Sequence, residues 1–283
     1  ASAEVRRLAF LNAAFETGIE NPLDSAIVAA CEREHFTTDG YRKIDEIPYD
    51  FLRKRLTIVV AEERDWATHL IVTKGAFDNV LSVCTAISTE GGEISLDATQ
   101  RERLAAYFRE KGMEGFRVLG VARKRVAAKT RYGHDDEAGM TFAGFLLFFD
   151  PLKRGVEATV RNLAGLGVRL KIISGDNRFV AAHVASSVGI NPQAMLTGEQ
   201  IANLKDEALW HRARRADLFV EVDPQQKERI VRALQHTGHA VGYLGDGIND
   251  APALHAADVG ISVDQAVDVA RESAEIVLLQ SDL

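Results

Sequence analysis

The sequence predicts an α/β protein of two domains: an α+β domain with an antiparallel sheet at about residues 1–140, then a doubly wound parallel sheet over 141–283. Three observations carry that reading. From Asp150 onward short β-rich runs, "VRLKIIS", "ADLFVEV", "HAVGYLG", "DVGIS" and "EIVLL", alternate with amphipathic helical stretches such as "PQQKERIVRALQHTG". Such alternation marks βαβ units and a mostly parallel sheet. Before Asp150 the texture differs, because "IPYDFLRKRLTIVVAEERDWATHLIVTKG" holds two β-rich runs around the polar "EERD", as antiparallel neighbours do. Finally, 283 residues with 46% apolar content can bury two cores.

The elements follow in order. A helical region opens the chain to about Glu34, and the two β-rich runs come next. The stretch "KRVAAKTRYGHDDEAG", charged and without apolar periodicity, is the expected domain boundary. The apolar "AGMTFAGFLLFF" at 138–149 falls short of the ~20 residues a helix needs to cross a bilayer, and the N-terminus has no long apolar run of the signal-peptide kind. The chain is therefore expected neither to span a membrane nor to carry a leader.

Charge and cysteine content narrow the function classes. A net charge of −7 provides no global basic field for nucleic acid, and the short basic runs "RKR" (53–55) and "ARKRVAAKTR" (122–131) read as solvated surface. Cys31 and Cys84 lie far apart with no metal-ligand spacing, so both read as small buried hydrophobes in a reducing compartment. There is no Gly-Lys-Ser/Thr, hence no P-loop, and "GLGVRL" lacks the third glycine of a dinucleotide fingerprint.

Three expected strands end in residues suited to a phosphate and its metal. "KIIS" runs into Ser174-Gly175-Asp176, "LFVEV" into Asp223-Pro224 with Lys227 a turn into the helix, and "VGYLG" into Asp246 with Asn249 and Asp250 behind it. In a doubly wound sheet ligands bind beyond the carboxyl ends of the strands, so parallel strands would set the three clusters along one edge. Ser174 offers a hydroxyl and a backbone N–H to a phosphoryl oxygen, Lys227 a point charge, and Asp246 with Asp250 hard oxygen donors for Mg²⁺.

The strings "KGAFD", "DPLK", "SGDN" and "GDGINDAPAL", in that order, resemble the cytosolic nucleotide-binding and phosphorylation domains of P-type ATPases. "LNAAFETGIENPLDSAI", "IPYDFLRKRLTIVV" and "DVGISVDQAVDVARESAEIVLL" look most like the bacterial magnesium-transporting branch. The resemblance implies a nucleotide-binding domain at 1–140 and the C-terminal part of a haloacid dehalogenase-like phosphorylation domain at 141–283. It implies Phe51 stacked on adenine with Asp24 near the base, Lys74 and Gly75 at the nucleotide, and Arg53 and Arg117 on its phosphates. Ser174, Gly175 and Asp176 would meet the transferred phosphoryl group, Lys227 would neutralise its charge, and Asp246 and Asp250 would hold Mg²⁺ with Asn249 in support. Asp150 would belong to the hinge.

Some positions depart from the family pattern. Ser174 stands for the usual threonine, Asp78 for a glutamate, and Glu221 where the family's Phe-Ala-Arg puts an arginine. No aspartate is followed by Lys-Thr, so the family's nucleophile-bearing strand is expected to lie upstream of this chain. The reading is thus an ATP- and Mg²⁺-dependent, ion-translocating enzyme of the bacterial inner membrane, of which this cytosolic part is inactive alone and has the remainder of the transporter as partner. The alternatives are a soluble haloacid dehalogenase-like phosphatase and a non-catalytic nucleotide-binding module.

Overall fold

The computed structural model describes residues 2–18, 21–50, 52–153 and 155–279. The chain divides into two compact units, residues 1–111 with 116–149, and residues 112–115 with 150–283.

The first unit is built on a seven-stranded sheet. Its strands are β1 (Tyr41–Ile47), β2 (Arg55–Glu62), β3 (Asp65–Ala76), β4 (Cys84–Thr89), β5 (Gly92–Ser95), β6 (Phe116–Ala127) and β7 (Met140–Phe149), in the order β1-β2-β3-β6-β7-β4-β5. All neighbours are antiparallel except β4 and β7. The two runs around "EERD" pair as the sequence predicts, Leu56 opposite Lys74 and Ile58 opposite Val72.

Side chains of a strand alternate between faces, which explains the continuous apolar runs: both faces of this sheet are covered. Leu56, Ile58, Val60, Leu70 and Val72 pack with Val5, Leu8 and Phe10 of α1 (Ala3–Phe15) and Ile27 and Cys31 of α2 (Pro22–Glu32). On the opposite face Val59, Ile71 and Phe142 meet Phe77 and Val80 of α3 (Phe77–Leu81) and Phe108 of α4 (Ala98–Met113). Ser2 caps α1, and Asn21 with Pro22 opens α2, as expected of an oxygen at the cap and proline in the first turn. Cys31 and Cys84 are buried and free, as the sequence implies.

The sequence reading counts residues 141–149 with the second domain, yet β7 pairs along its length with β6, Phe149 opposite Phe116. The reason lies in the stretch before it. The 3₁₀ turn His134–Glu137 turns Glu137 fully inward, where its carboxylate takes Arg53, Arg55 and Thr57. The charged loop is thus tied into the first core and is not a linker.

The second unit carries two three-stranded parallel sheets, where the sequence predicts one doubly wound sheet lacking its nucleophile-bearing strand. The first is β8 (Ile172–Ile173), β10 (Leu218–Val220) and β9 (Met195–Thr197) in that order; the second is β11 (Gly242–Leu244), β12 (Val259–Val263) and β13 (Ile276–Leu278). Among the described residues no strand joins β8 to β11, so the expected runs "VRLKIIS" and "HAVGYLG" shrink to two and three residues. Helices still flank the strands. Leu218 and Val220 face Val156 and Val160 of α5 (Val156–Gly165) and Ala181 and Ala185 of α6 (Arg178–Ser187). Phe219 points the other way, onto Leu209 of α8 (Asp206–Arg215) and Ile230 of α9 (Pro224–His236). The short helices α7 (Gly198–Ala202), α10 (Ala251–Ala256) and α11 (Asp268–Glu272) complete the unit. Ile173 and Val241 each pack into both the α8–α9 core and the Tyr243–Leu254 core, which keeps the two sheets side by side.

Candidate functional sites of the two units

In the first unit Lys74 lies two residues beyond Val72 on β3, hence on the face that meets α1. Its ammonium forms an ion pair with Asp24 of α2, and both residues are buried, 5% and 7% exposed. Burial lowers the Lys74 ammonium to about 8, with the Glu16 carboxylate opposing the shift. Burial also raises Glu16, against the pull of Lys74. Asn12 donates to the carbonyls of Val72 (2.8 Å) and Leu56 (3.3 Å), while Asn12 Oδ1 and Glu16 Oε2 are buried acceptors with no donor among the described residues. Asn12 lies in the last turn of α1, and Glu16 is its extended C-terminal cap residue.

Gly75 follows for a steric reason: a Cβ there would lie 2.6 Å from the Arg55 Cα, so only glycine lets β3 approach the start of β2 this closely. Phe51 lies outside the described residues.

Arg53 is engaged by acidic partners of its own unit. Its guanidinium donates to Asp50, to both Glu137 oxygens (2.7 and 2.9 Å) and to the Pro48 carbonyl (2.6 Å). Arg55 donates from Nε to the same carboxylate at 2.8 Å, so the "RKR" run read as solvated surface sends two of its cations inward. Arg117 sits on β6 opposite Phe148, and Asp150 directly follows β7.

In the second unit the three predicted clusters do fall beyond the ends of β8, β10 and β11. Ser174 Oγ donates to Asp176 at 3.1 Å and accepts the Asp176 N–H at 3.0 Å, closing the turn around Gly175. Asp223 is a helix cap, its carboxylate taking the Gln226 N–H at 2.7 Å while the Gln226 side chain returns to the Asp223 N–H. Lys227, one turn into α9, reaches Asp250 Oδ1 at 2.7 Å.

Asp250 is the centre of this edge. It is 8% exposed, and besides Lys227 it accepts the Tyr243 hydroxyl (2.7 Å, Oδ1) and the Gly247 N–H (3.1 Å, Oδ2). Burial alone would raise its pKa, but Lys227 and these hydrogen bonds hold the carboxyl below its ordinary value. Burial and the adjacent Asp250 raise the Tyr243 phenol, which stays a donor. Gly245 makes the contact possible, since a Cβ there would meet the Asp250 Cβ at 2.6 Å.

Asp246 differs from Asp250: it is exposed, and its carboxylate carries no hydrogen bond or ion pair among the described residues. Asn249 lies between them on the turn Ile248–Asp250. No cluster of three or more acidic, histidine or cysteine side chains that could hold a metal occurs among the described residues. The donor set therefore fits a Mg²⁺ that keeps waters and phosphate oxygens and takes Asp246 as protein ligand, since Mg²⁺ is commonly bound through one or two carboxylates. Asp250 already has both oxygens engaged.

Glu221 resolves the charge reversal seen in the sequence. It sits at φ 59° and donates its N–H to the Asp176 carbonyl (3.0 Å). Its carboxylate grips Arg178 through Nε (3.0 Å), Nη2 (2.7 Å) and the backbone N–H (3.1 Å). The guanidinium at this edge thus comes from α6. Glu137, Tyr243 and Arg178 escaped the sequence reading; only the oddity of Glu221 carried a signal.

With this geometry in view, the family match is direct. The family described as P-type ATPase, cytoplasmic domain N, matches residues 12–155, and the chain belongs to the P-type ATPases. Over its whole length it is 40% identical to the magnesium-transporting ATPase, P-type 1, of Salmonella typhimurium and to that of Escherichia coli. A calcium-transporting ATPase of Bacillus subtilis is 29% identical over 93% of the chain. The chain spans 31% and 32% of the length of the two magnesium-transporting relatives. No helix among the described residues is long and apolar enough to cross a membrane.

Proposed function

We propose that this chain is the nucleotide-binding and phosphorylation portion of a P-type ATPase that couples ATP hydrolysis to cation transport, with Mg²⁺ as the cation, at the bacterial inner membrane. The observation that carries the reading is the Lys227–Asp250 pair beyond the ends of β10 and β11, beside an unengaged Asp246. Fixed positive charge next to an available hard oxygen donor is what transfer of a phosphoryl group requires, because that chemistry depends chiefly on positioning and charge neutralisation. Bound there, Mg²⁺ would neutralise phosphate oxygens, held by Asp246. Lys227 meets the moving charge, and the Ser174 turn contacts the phosphoryl oxygens.

ATP is held by the first unit in this reading. Lys74 supplies the cation there, paired with Asp24 and near the Glu16 carboxylate. The magnesium cargo comes from the names of the relatives at 40% identity. The second unit is a haloacid dehalogenase-like fold in which a strand from the remainder of the transporter, bearing the nucleophilic aspartate, lies between β8 and β11. Each of these pairs with a single described neighbour, which supports that placement.

The test is phosphoenzyme formation. Given labelled ATP and Mg²⁺, the complete transporter should form an acid-stable, hydroxylamine-sensitive phosphoenzyme, and Lys227→Ala should slow it by roughly 100-fold, the scale of losing one transition-state charge contact. Full-rate labelling of Lys227→Ala would remove this edge from the chemistry.

A further inference from the structure

We propose that Tyr243 is a positioning residue that keeps Asp250 in place while Lys227 is lent to a phosphoryl group. The inference rests on the phosphoryl-transfer reading of this edge. Lys227 and the Tyr243 hydroxyl both sit 2.7 Å from the same oxygen, Asp250 Oδ1, and Gly247 N–H holds the other oxygen at 3.1 Å. A lysine that serves both a buried carboxylate and an incoming phosphate faces a conflict, because leaving the carboxylate strands a charge with little access to water. The Asp250 side chain is only 12% exposed. Tyr243 removes the conflict: once the ammonium swings away, Asp250 keeps a hydrogen bond on each oxygen. The phenol is itself fixed, since Tyr243 is 7% exposed and packs with Val231, Ala253 and Leu254, and β11 holds its backbone. Gly245 keeps ring and carboxylate in contact, as a Cβ there would crowd both Tyr243 (3.0 Å) and Asp250 (2.6 Å).

The experiment compares Tyr243→Phe, Lys227→Ala and the double variant in the complete transporter, reading the rate of phosphoenzyme formation and the KM for ATP. Tyr243→Phe should lower the rate roughly tenfold, the worth of one hydrogen bond to a charged group, with KM unchanged. The double variant should be no slower than Lys227→Ala alone, because the phenol acts through the lysine. A merely structural Tyr243 would give additive losses, and either additivity or an unaltered Tyr243→Phe overturns the proposal. If Lys227→Ala alone phosphorylates at the full rate, the reading of the edge fails first. If it is crippled while Tyr243→Phe is normal, the positioning role alone fails. Should Tyr243→Phe melt well below the parent, 3-fluorotyrosine at 243 keeps ring and hydroxyl and must preserve the rate; loss of rate with that residue overturns the proposal equally.

Discussion

Lys74 and Asp24 are tolerable in the core only as a pair. Lys74→Met would strand the Asp24 carboxylate at 7% exposure, and removal of one partner of a buried pair costs about 3–5 kcal/mol. Urea unfolding of the chain should show that loss, and Lys74→Met with Asp24→Asn together should lose less than the sum of the two. The lysine also has a pH signature. Its folded pKa of about 8 lies below the ordinary 10.5, so between those values the unfolded chain binds the proton more tightly. The contribution of this group to stability therefore rises as pH climbs from 8 towards 10.5, and the margin by which wild type exceeds Lys74→Met should grow in that window and nowhere else. A difference flat across pH 7–11 would contradict the lowered pKa. Glu137→Ala should be as damaging as Lys74→Met, about 3–5 kcal/mol, because the inward Arg55 loses its carboxylate and Arg53 keeps Asp50 alone.

At the scale of elements, the two units should differ in how firmly their strands are held. β2, β3 and β6 are long and paired on both sides, whereas β8 and β11 are two and three residues long with one described neighbour each. Hydrogen exchange should accordingly release Ile172–Ile173 and Gly242–Leu244 well before Ile58–Ala61 and Leu70–Thr73. Gly75→Ala drives a methyl into the start of β2 and should cost about 1–3 kcal/mol in a thermal melt. The antiparallel hairpin and the alternating strands and helices were legible because apolar period and turn residues are local. The strand-end clusters were legible for the same reason. What was hidden depends on distant partners: nothing in "HDDE" marks Glu137, among its acidic neighbours, as the one that turns inward to arginines more than 80 residues earlier. Tyr243 likewise reads as one more β-rich residue, and its hydroxyl gains meaning only when the GDGIND turn folds Asp250 back onto it. The extent of "VRLKIIS" and "HAVGYLG" was overestimated because a strand lasts only as far as its neighbour does, and the neighbour is not local.

At the scale of the whole molecule, the proposed function assigns nucleotide binding to the first unit and phosphorylation to the second. With no Asp-Lys-Thr in the sequence, this chain by itself should bind ATP, measurable by calorimetry, and form no phosphoenzyme. Labelling of the chain alone would mean that another residue here is the nucleophile. Binding should weaken about tenfold in Lys74→Met, or 1.4 kcal/mol. The inward turn of Glu137 has one more consequence, which concerns time. Arg53 leaves the ribosome 84 residues before the Glu137 carboxylate. At ordinary rates of synthesis that is a wait of roughly 4–17 s. Through that interval the apolar strand Leu56–Ala61 follows the cations Arg53, Lys54 and Arg55, with Arg53 facing Asp50 and Arg55 still waiting for Glu137, and charges flanking an exposed apolar strand discourage it from pairing with a neighbouring chain. The same two side chains that anchor the finished sheet thus guard it while it is still half made, and the late arrival of Glu137 converts a repulsive guard into a buried clasp.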